Sequence, residues 1–235
     1  MAKFQFQFDD TEDCRLYIGS DFHLNHARDF MWGKRGFGSA QEHTDAIINH
    51  VNATCRQTDI LLHLGDFCLN TPPHQLEALV GRINCQMWWL KGNHNNPWEK
   101  LYQEACEGTL ATCDWNTSWS YDSNISDYFK PEITGLKLFP NVTIWGSYLE
   151  FVWNKQPCVF NHYPYLVWNQ RHHGSWSLCG HSHGSCAEST VVDTTMKQLD
   201  NCWELHNGIL TFQQIRSIMY KKQVGQSDHH DKDVN

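Results

Sequence analysis

Three times within its first hundred residues the chain repeats one pattern: a short apolar run, a closing Gly or Ser with Asp, Asn or His, and then residues spaced for an amphipathic helix. Arg15-Leu16-Tyr17-Ile18 runs into Gly19-Ser20-Asp21, Ile60-Leu61-Leu62-His63-Leu64 into Gly65-Asp66, and Gln86-Met87-Trp88-Trp89-Leu90 into Gly92-Asn93-His94. Short apolar runs bounded by turn-forming residues predict buried strands. After the first, Ser39-Ala40-Gln41-Glu42 supplies a capping box ahead of Ala46, Ile47, Ile48 and Val51. After the second, Thr71-Pro72 supplies an N-cap with Pro near N1, ahead of Leu76, Leu79, Val80 and Ile83. Helical spacing returns over 98–107. Such alternation predicts an α/β fold, in which ligands bind beyond the carboxyl ends of the strands.

From about Cys106 to Pro140 the period lapses, which predicts an insertion or cap on a single domain spanning 1–220. Strand-like runs resume over Val142–Trp153, Cys158–Asn161 and Ser177–Cys179, Thr211 to Gln214 caps a last helix, and 221–235 reads as a polar, disordered tail. A chain of 235 residues, 40% hydrophobic, fills one core and is too short for two catalytic domains. Its 26 Asp and Glu against 18 Lys and Arg give a formal charge of -8, which excludes the broad basic surface of a non-specific nucleic-acid binder. A phosphate ligand must then be handled locally. The ten Cys form no C-x-x-C pair, so a zinc ribbon or thioredoxin motif is not expected. Neither an apolar leader nor an 18-residue apolar stretch is found, so the expected setting is cytoplasmic and reducing, with no membrane partner and with the Cys acting as small hydrophobes.

The strand ends hold the chemistry. Asp21-Phe22-His23, Gly65-Asp66, Gly92-Asn93-His94, Asn161-His162-Tyr163-Pro164 and Gly180-His181-Ser182-His183 present metal-ligand residue types, and the 15 His of the composition are partly explained by them. In an extended segment residues i and i+2 face one side, so Asp21 with His23, and His181 with His183, are expected to share a site. Asp21, His23, Asp66, Asn93, His162, His181 and His183 make seven candidate ligands, more than one ion takes from nitrogen and oxygen side chains and enough for two ions sharing a carboxylate.

Taken in order, these motifs resemble the calcineurin-like metallophosphoesterases, and among them the small bacterial and phage phosphoesterases. The resemblance runs from about 15 to 220, leaves 106–140 unmatched, and includes Ser20 to His26, Arg35-Gly36-Phe37, Leu64 to Phe67, Leu90 to His94, Gly174-Ser175 and His206-Asn207-Gly208. It implies a four-layer α/β/β/α sandwich and a binuclear centre. Asp21, His23 and His183 would hold one ion, Asn93, His162 and His181 the other, and Asp66 would bridge them. The ions would be Mn, Fe, Ni or Zn, with Mn favoured, and His94 would protonate the leaving oxygen. Two departures from the family pattern stand out: Asn95 replaces an Asp after His94, and Glu204 stands where the subgroup has Asp.

The implied activity is metal-dependent hydrolysis of a phosphate ester, with phosphodiesters of nucleotides or cyclic nucleotides favoured because His94 supplies the acid that a poor alkoxide leaving group needs. The alternatives are a phosphomonoesterase acting on a metabolite or protein, a nuclease, and an inactive metal-binding scaffold. His26 and Arg35 are placed either against a substrate phosphate or on a solvated loop. His172 and His173 read as a polar loop, Asn52 as a helix cap, and most Trp as core. Trp115, Trp119, Trp145 and Trp153, in or beside the insertion, are candidates to line a base-sized pocket.

Overall fold

The computed structural model describes residues 4, 6–69, 71–94, 136–185 and 196–224. The expected helix over 98–107, most of the expected insertion, Asn95, Trp115, Trp119 and the tail beyond 224 lie outside these residues. Among those described, eleven strands form two mixed sheets. The larger has the order β11 (Leu210–Thr211), β2 (Leu16–Gly19), β3 (Ile60–His63), β4 (Gln86–Trp89), β6 (Val142–Ile144) and β5 (Leu136–Phe139). Its four central strands are parallel and its two edges antiparallel. The other has the order β1 (Gln7–Phe8), β7 (Tyr148–Trp153), β8 (Gln156–Asn161), β9 (Trp176–Cys179) and β10 (Gln198–Asp200).

Register brings the motifs together. Gly19 pairs with His63 and His63 with Trp89, so β2, β3 and β4 end level and the residues after them emerge along one edge. In the second sheet Phe160 pairs with Leu178, so β8 and β9 likewise end side by side, just before His162 and His181.

The near-continuous apolar runs follow from strands buried on both faces. Leu16, Ile18, Leu62 and Trp88 join Phe151, Trp153, Phe160 and Leu178 of the other sheet in one core cluster. The alternate residues Tyr17, Leu61, Met87 and Trp89 pack instead with Ile47, Ile48 and Val51 of α2 (Ala40–Thr54) and Leu76, Leu79 and Val80 of α3 (Pro73–Gly81). Among the described residues the remaining helices are α1 (Asp29–Trp32), α4 (Trp203–His206) and α5 (Phe212–Met219), with a 3-10 turn at Arg171–His173. No described helix is long and apolar enough to cross a membrane. The seven described Cys are buried and form no disulfide with one another.

Several sequence expectations need local correction. Ser39 caps α2 by accepting from Glu42 N, but Glu42 returns its carboxylate to Gly38 N, so the capping box is half formed. Helix α3 begins one residue later than expected: Pro73 occupies the first turn, Pro72 takes the cap position, and the Thr71 hydroxyl donates to Leu69 O. The box at Thr211 and Gln214 forms in full. The run Val142–Trp153 is two strands in different sheets, divided near Gly146, whose φ of +84° turns the chain. Residues 136–139, within the stretch taken as insertion, form an edge strand against β6. Asn52 does not cap α2; its amide donates to Arg82 O and accepts from Asn84 N, tying that helix to the turn before β4. Trp153 is fully buried and Trp145 packs on Phe6 and Trp88, so both belong to the core and not to a base pocket.

Phe151 stacks on Phe6 at 4.6 Å and Phe160 at 4.5 Å within its own sheet and meets Trp88 of the larger sheet edge-on at 6.3 Å. Phe151→Ala is expected to cost about 3–5 kcal/mol in urea unfolding. A loss below about 1 kcal/mol would contradict this packing.

Candidate metal centre

The loops after the strands are held in unusual backbone conformations. Asp21, His23, Asp66, His181 and His183 all have positive φ, at 57°, 50°, 57°, 69° and 48°. Left-handed backbone at a non-glycine residue costs of order 1–3 kcal/mol and persists only where neighbours enforce it. Here the enforcement is a ladder between two loops: Asp21 N donates to Gly65 O at 3.0 Å, His23 N to Asp66 O at 3.0 Å and Leu24 N to Phe67 O at 2.9 Å. Asp21 and His23 do converge, but through these turns and not through the alternation of an extended segment.

Asp21 is fully buried and its two oxygens differ in role. Oδ2 accepts from Ser20 Oγ at 2.5 Å, His181 N at 2.9 Å and Cys202 Sγ at 3.1 Å. Among the described residues Oδ1 has no hydrogen-bond donor; it lies 3.5 Å from His23 Nε2 and 3.4 Å from His183 Nε2, which are 3.1 Å from each other. Donors bound at about 2.0–2.2 Å to one ion stand about 3.0–3.5 Å apart in octahedral or tetrahedral geometry. The triangle fits a metal ion. Burial works to raise the Asp21 carboxyl, but His23, His162 and His183 around it prevail and hold it well below the usual range. Burial lowers His183, and the carboxylates of Glu204 and Asp21 outweigh that, leaving it raised. A field that attracts a proton to this ring also attracts a divalent cation.

A second group lies beside the first. His162 Nδ1 is 3.0 Å from Leu64 O, and because a carbonyl only accepts, that nitrogen carries the proton and the neutral ring presents a bare Nε2. This Nε2 faces Asn93 Oδ1 at 2.7 Å and Asp66 Oδ2 at 3.6 Å, while His181 Nδ1 is 2.8 Å from the same Asn93 oxygen. Lone pairs converge there as well. Asp66 Oδ2 is also 3.9 Å from His23 Nε2, so the carboxylate lies between the two groups, with Oδ1 accepting from His94 N at 2.8 Å. Two overlapping triads, Asp21 with His23 and His183 and Asp21 with Asp66 and His162, thus suit metal ions. Glycine is required at the approaches: a Cβ on Gly92 would overlap Asp66, and one on Gly180 would overlap Ser20 and Asp21.

Other predicted residues fall around this cluster. His94 is exposed, its ring 5.9 Å from that of His23. The His26 ring is 6.0 Å from His23; the side chain is buried and its Nδ1 accepts from Arg28 N, and burial followed by the His23 charge lowers its pKa. Arg35 corrects both alternatives offered for it. Its side chain is only 4% exposed, and its guanidinium bonds Phe22 O, Asp21 O, His43 Nε2 and Glu204, so it faces neither substrate nor solvent. His172 and His173 are exposed on the 3-10 turn. His43 was not foreseen. Its signal was helical spacing, because His43, Ile47 and Val51 lie on one buried face of α2. Cys202, donating to Asp21, had no such signal.

No family model matches the chain. Over 115 residues, 48% of its length, it is 30% identical to MJ1445, an uncharacterized protein of Methanocaldococcus jannaschii; the match spans 65% of that protein, just under two thirds. A crystal structure of AQ665 from Aquifex aeolicus, a protein of unknown function, has a TM-score of 0.54 at 14% identity and covers 87% of this chain and 98% of its own. That likeness is one of fold. Two mixed sheets with His and Asp clusters beyond their strand ends are consistent with a metallophosphoesterase-like fold.

His43 also sets a pH response. Burial first, then the Arg35 charge, pushes its pKa down from the usual 6.5 to about 4. The unfolded chain therefore takes up this proton at higher pH than the folded one, so the stability is fully present above 6.5 and is lost as pH falls toward 4. The loss between pH 7 and pH 5 is on the order of 1–2 kcal/mol. Chelator-treated protein should melt lower at pH 5 than at pH 7, with a smaller difference in His43→Gln. Equal slopes in the two proteins would contradict the assignment.

Proposed function

We propose that the chain is a binuclear metal-dependent phosphoesterase with the four-layer α/β/β/α arrangement of the calcineurin-like enzymes, and that phosphodiesters of nucleotides or cyclic nucleotides are its substrates. The observation that carries this reading is the position of Asp66, 3.9 Å from His23 Nε2 on one side and 3.6 Å from His162 Nε2 on the other. Asp21, His23 and His183 would hold one ion, and Asn93, His162 and His181 the other. Two such ions would supply charge neutralisation at phosphate oxygens and activation of water.

The chain's own groups complete the site. His94 is exposed beside the cluster, its backbone anchored by an N–H to Asp66 and its ring 5.9 Å from that of His23, which suits a proton donor to a departing alkoxide. Tyr163, 44% exposed and 4.5 Å ring to ring from His181, offers an aromatic surface at the open side of the cluster.

The test is hydrolysis by Mn²⁺-loaded protein of an aryl phosphodiester, an aryl monoester and a cyclic mononucleotide. Diester turnover is expected, with all activity lost in Asp66→Ala. His94→Ala should slow the cyclic nucleotide by about 10²–10⁴-fold and the aryl diester far less, since a phenolate needs little protonation to leave. Turnover confined to the monoester would replace the diester reading with a phosphomonoesterase. Full activity in Asp66→Ala would end the binuclear one.

A further inference from the structure

Arg35 is a buried cation whose two terminal nitrogens each serve two acceptors. Nη1 donates to Phe22 O at 3.0 Å and to His43 Nε2 at 2.9 Å; Nη2 donates to Asp21 O at 2.7 Å and to Glu204 Oε2 at 2.7 Å. A terminal guanidinium nitrogen has two hydrogens, so this set uses all four. Each partner leads to the same place. The carbonyls of Asp21 and Phe22 belong to the turn whose left-handed residues, Asp21 and His23, aim two of the candidate ligands. Glu204, held by Nη2, gives its other oxygen to His183 Nδ1, which fixes the proton on that nitrogen and leaves Nε2 directed at Asp21 Oδ1 and His23. His43, from helix α2, closes the fork and presents an acceptor only as a neutral ring.

We infer that Arg35 and Glu204 are positioning residues for one of the two metal sites only, the one formed by Asp21, His23 and His183. Among the described residues neither Arg35 nor Glu204 bonds a side chain of the other site directly: His162 is set by Leu64 O, Asp66 by His94 N, and Asn93 and His181 meet each other; the two sites meet at Asp66 and where His181 N donates to Asp21 Oδ2. The direct supports of the two sites therefore differ. The first stands on a buried charge network reaching from α2 to α4, while the second stands on the loops after β3, β4, β8 and β9. Lysine cannot replace Arg35, because three hydrogens on one nitrogen cannot reach four acceptors fixed in a planar fork. Glutamine cannot replace Glu204, because one of the two positions facing donors would itself become a donor.

This inference rests on the binuclear reading, and its test separates the two. Metal-free protein is titrated with Mn²⁺ alone, following free Mn²⁺ by its electron paramagnetic resonance signal, for wild type, Arg35→Lys and Glu204→Gln. Wild type is expected to take up two ions per chain. Each variant should hold one with wild-type affinity and the other 10–100-fold more weakly. Glu204→Gln keeps three of the four Arg35 contacts, so it remains available if Arg35→Lys fails to fold. Two ions in wild type, with both weakened equally in a folded variant or neither weakened, would overturn the assignment while leaving the binuclear reading standing. Wild type that binds no Mn²⁺ would overturn both.

Discussion

The cluster depends on how the Asp21 carboxylate is divided. One oxygen collects three donors from three different parts of the chain: Ser20 beside it, the His181 amide after β9 and the Cys202 thiol ahead of α4. Those contacts join the end of the larger sheet to the end of the other. They also satisfy Oδ2, while the surrounding histidines keep the carboxylate charged in a buried position and Oδ1 is left to face two imidazole nitrogens. A carboxylate that shared its donors between both oxygens would offer a metal ion fewer free lone pairs on the side facing the histidines.

Strain at the site is offset by the two cores. Five left-handed non-glycine residues in the candidate ligand set amount to several kcal/mol of unfavourable backbone. They are tolerated because level strand ends present their amides and carbonyls to one another, as in the ladder from Asp21 to Phe67, and because Trp88, Phe151 and Phe160 hold the two sheets in register beneath them. Packing far from the ligands thus decides whether the ligands converge.

What was legible in the sequence was periodic or contiguous. The strands carrying the motifs announced themselves by apolar runs closed with Gly and Asp, and α2 by the spacing of Ile47, Ile48 and Val51. Strands β1, β10 and β11, two or three residues each, are too short to show a period, and the sheet switch near Gly146 hides inside an unbroken apolar run. At the site, candidate ligands could be named because residue type and strand-end position coincide. Their supports were less legible: Glu204 stood out only as a departure from the family pattern and Arg35 only as a phosphate contact or part of a solvated loop, because Arg35, His43, Cys202 and Glu204 come together only in three dimensions. Arg35, flanked by Lys34 and Gly36, looks in the sequence like a surface turn, and only its four acceptors show it to be interior.

The inward Arg35 sharpens the meaning of the acidic composition. Asp21, Asp66 and Glu204 bring three carboxylates to the cluster against one guanidinium, an excess of two negative charges that would repel a phosphate. Since the Arg35 fork is spent on the protein, it cannot answer that charge at the open face. Two divalent ions carry four positive charges and would reverse the sign of the cleft. An acidic chain could then receive an acidic substrate, provided the ions are held by ligands whose supports, Arg35 above all, are turned into the protein and do not compete for the phosphate.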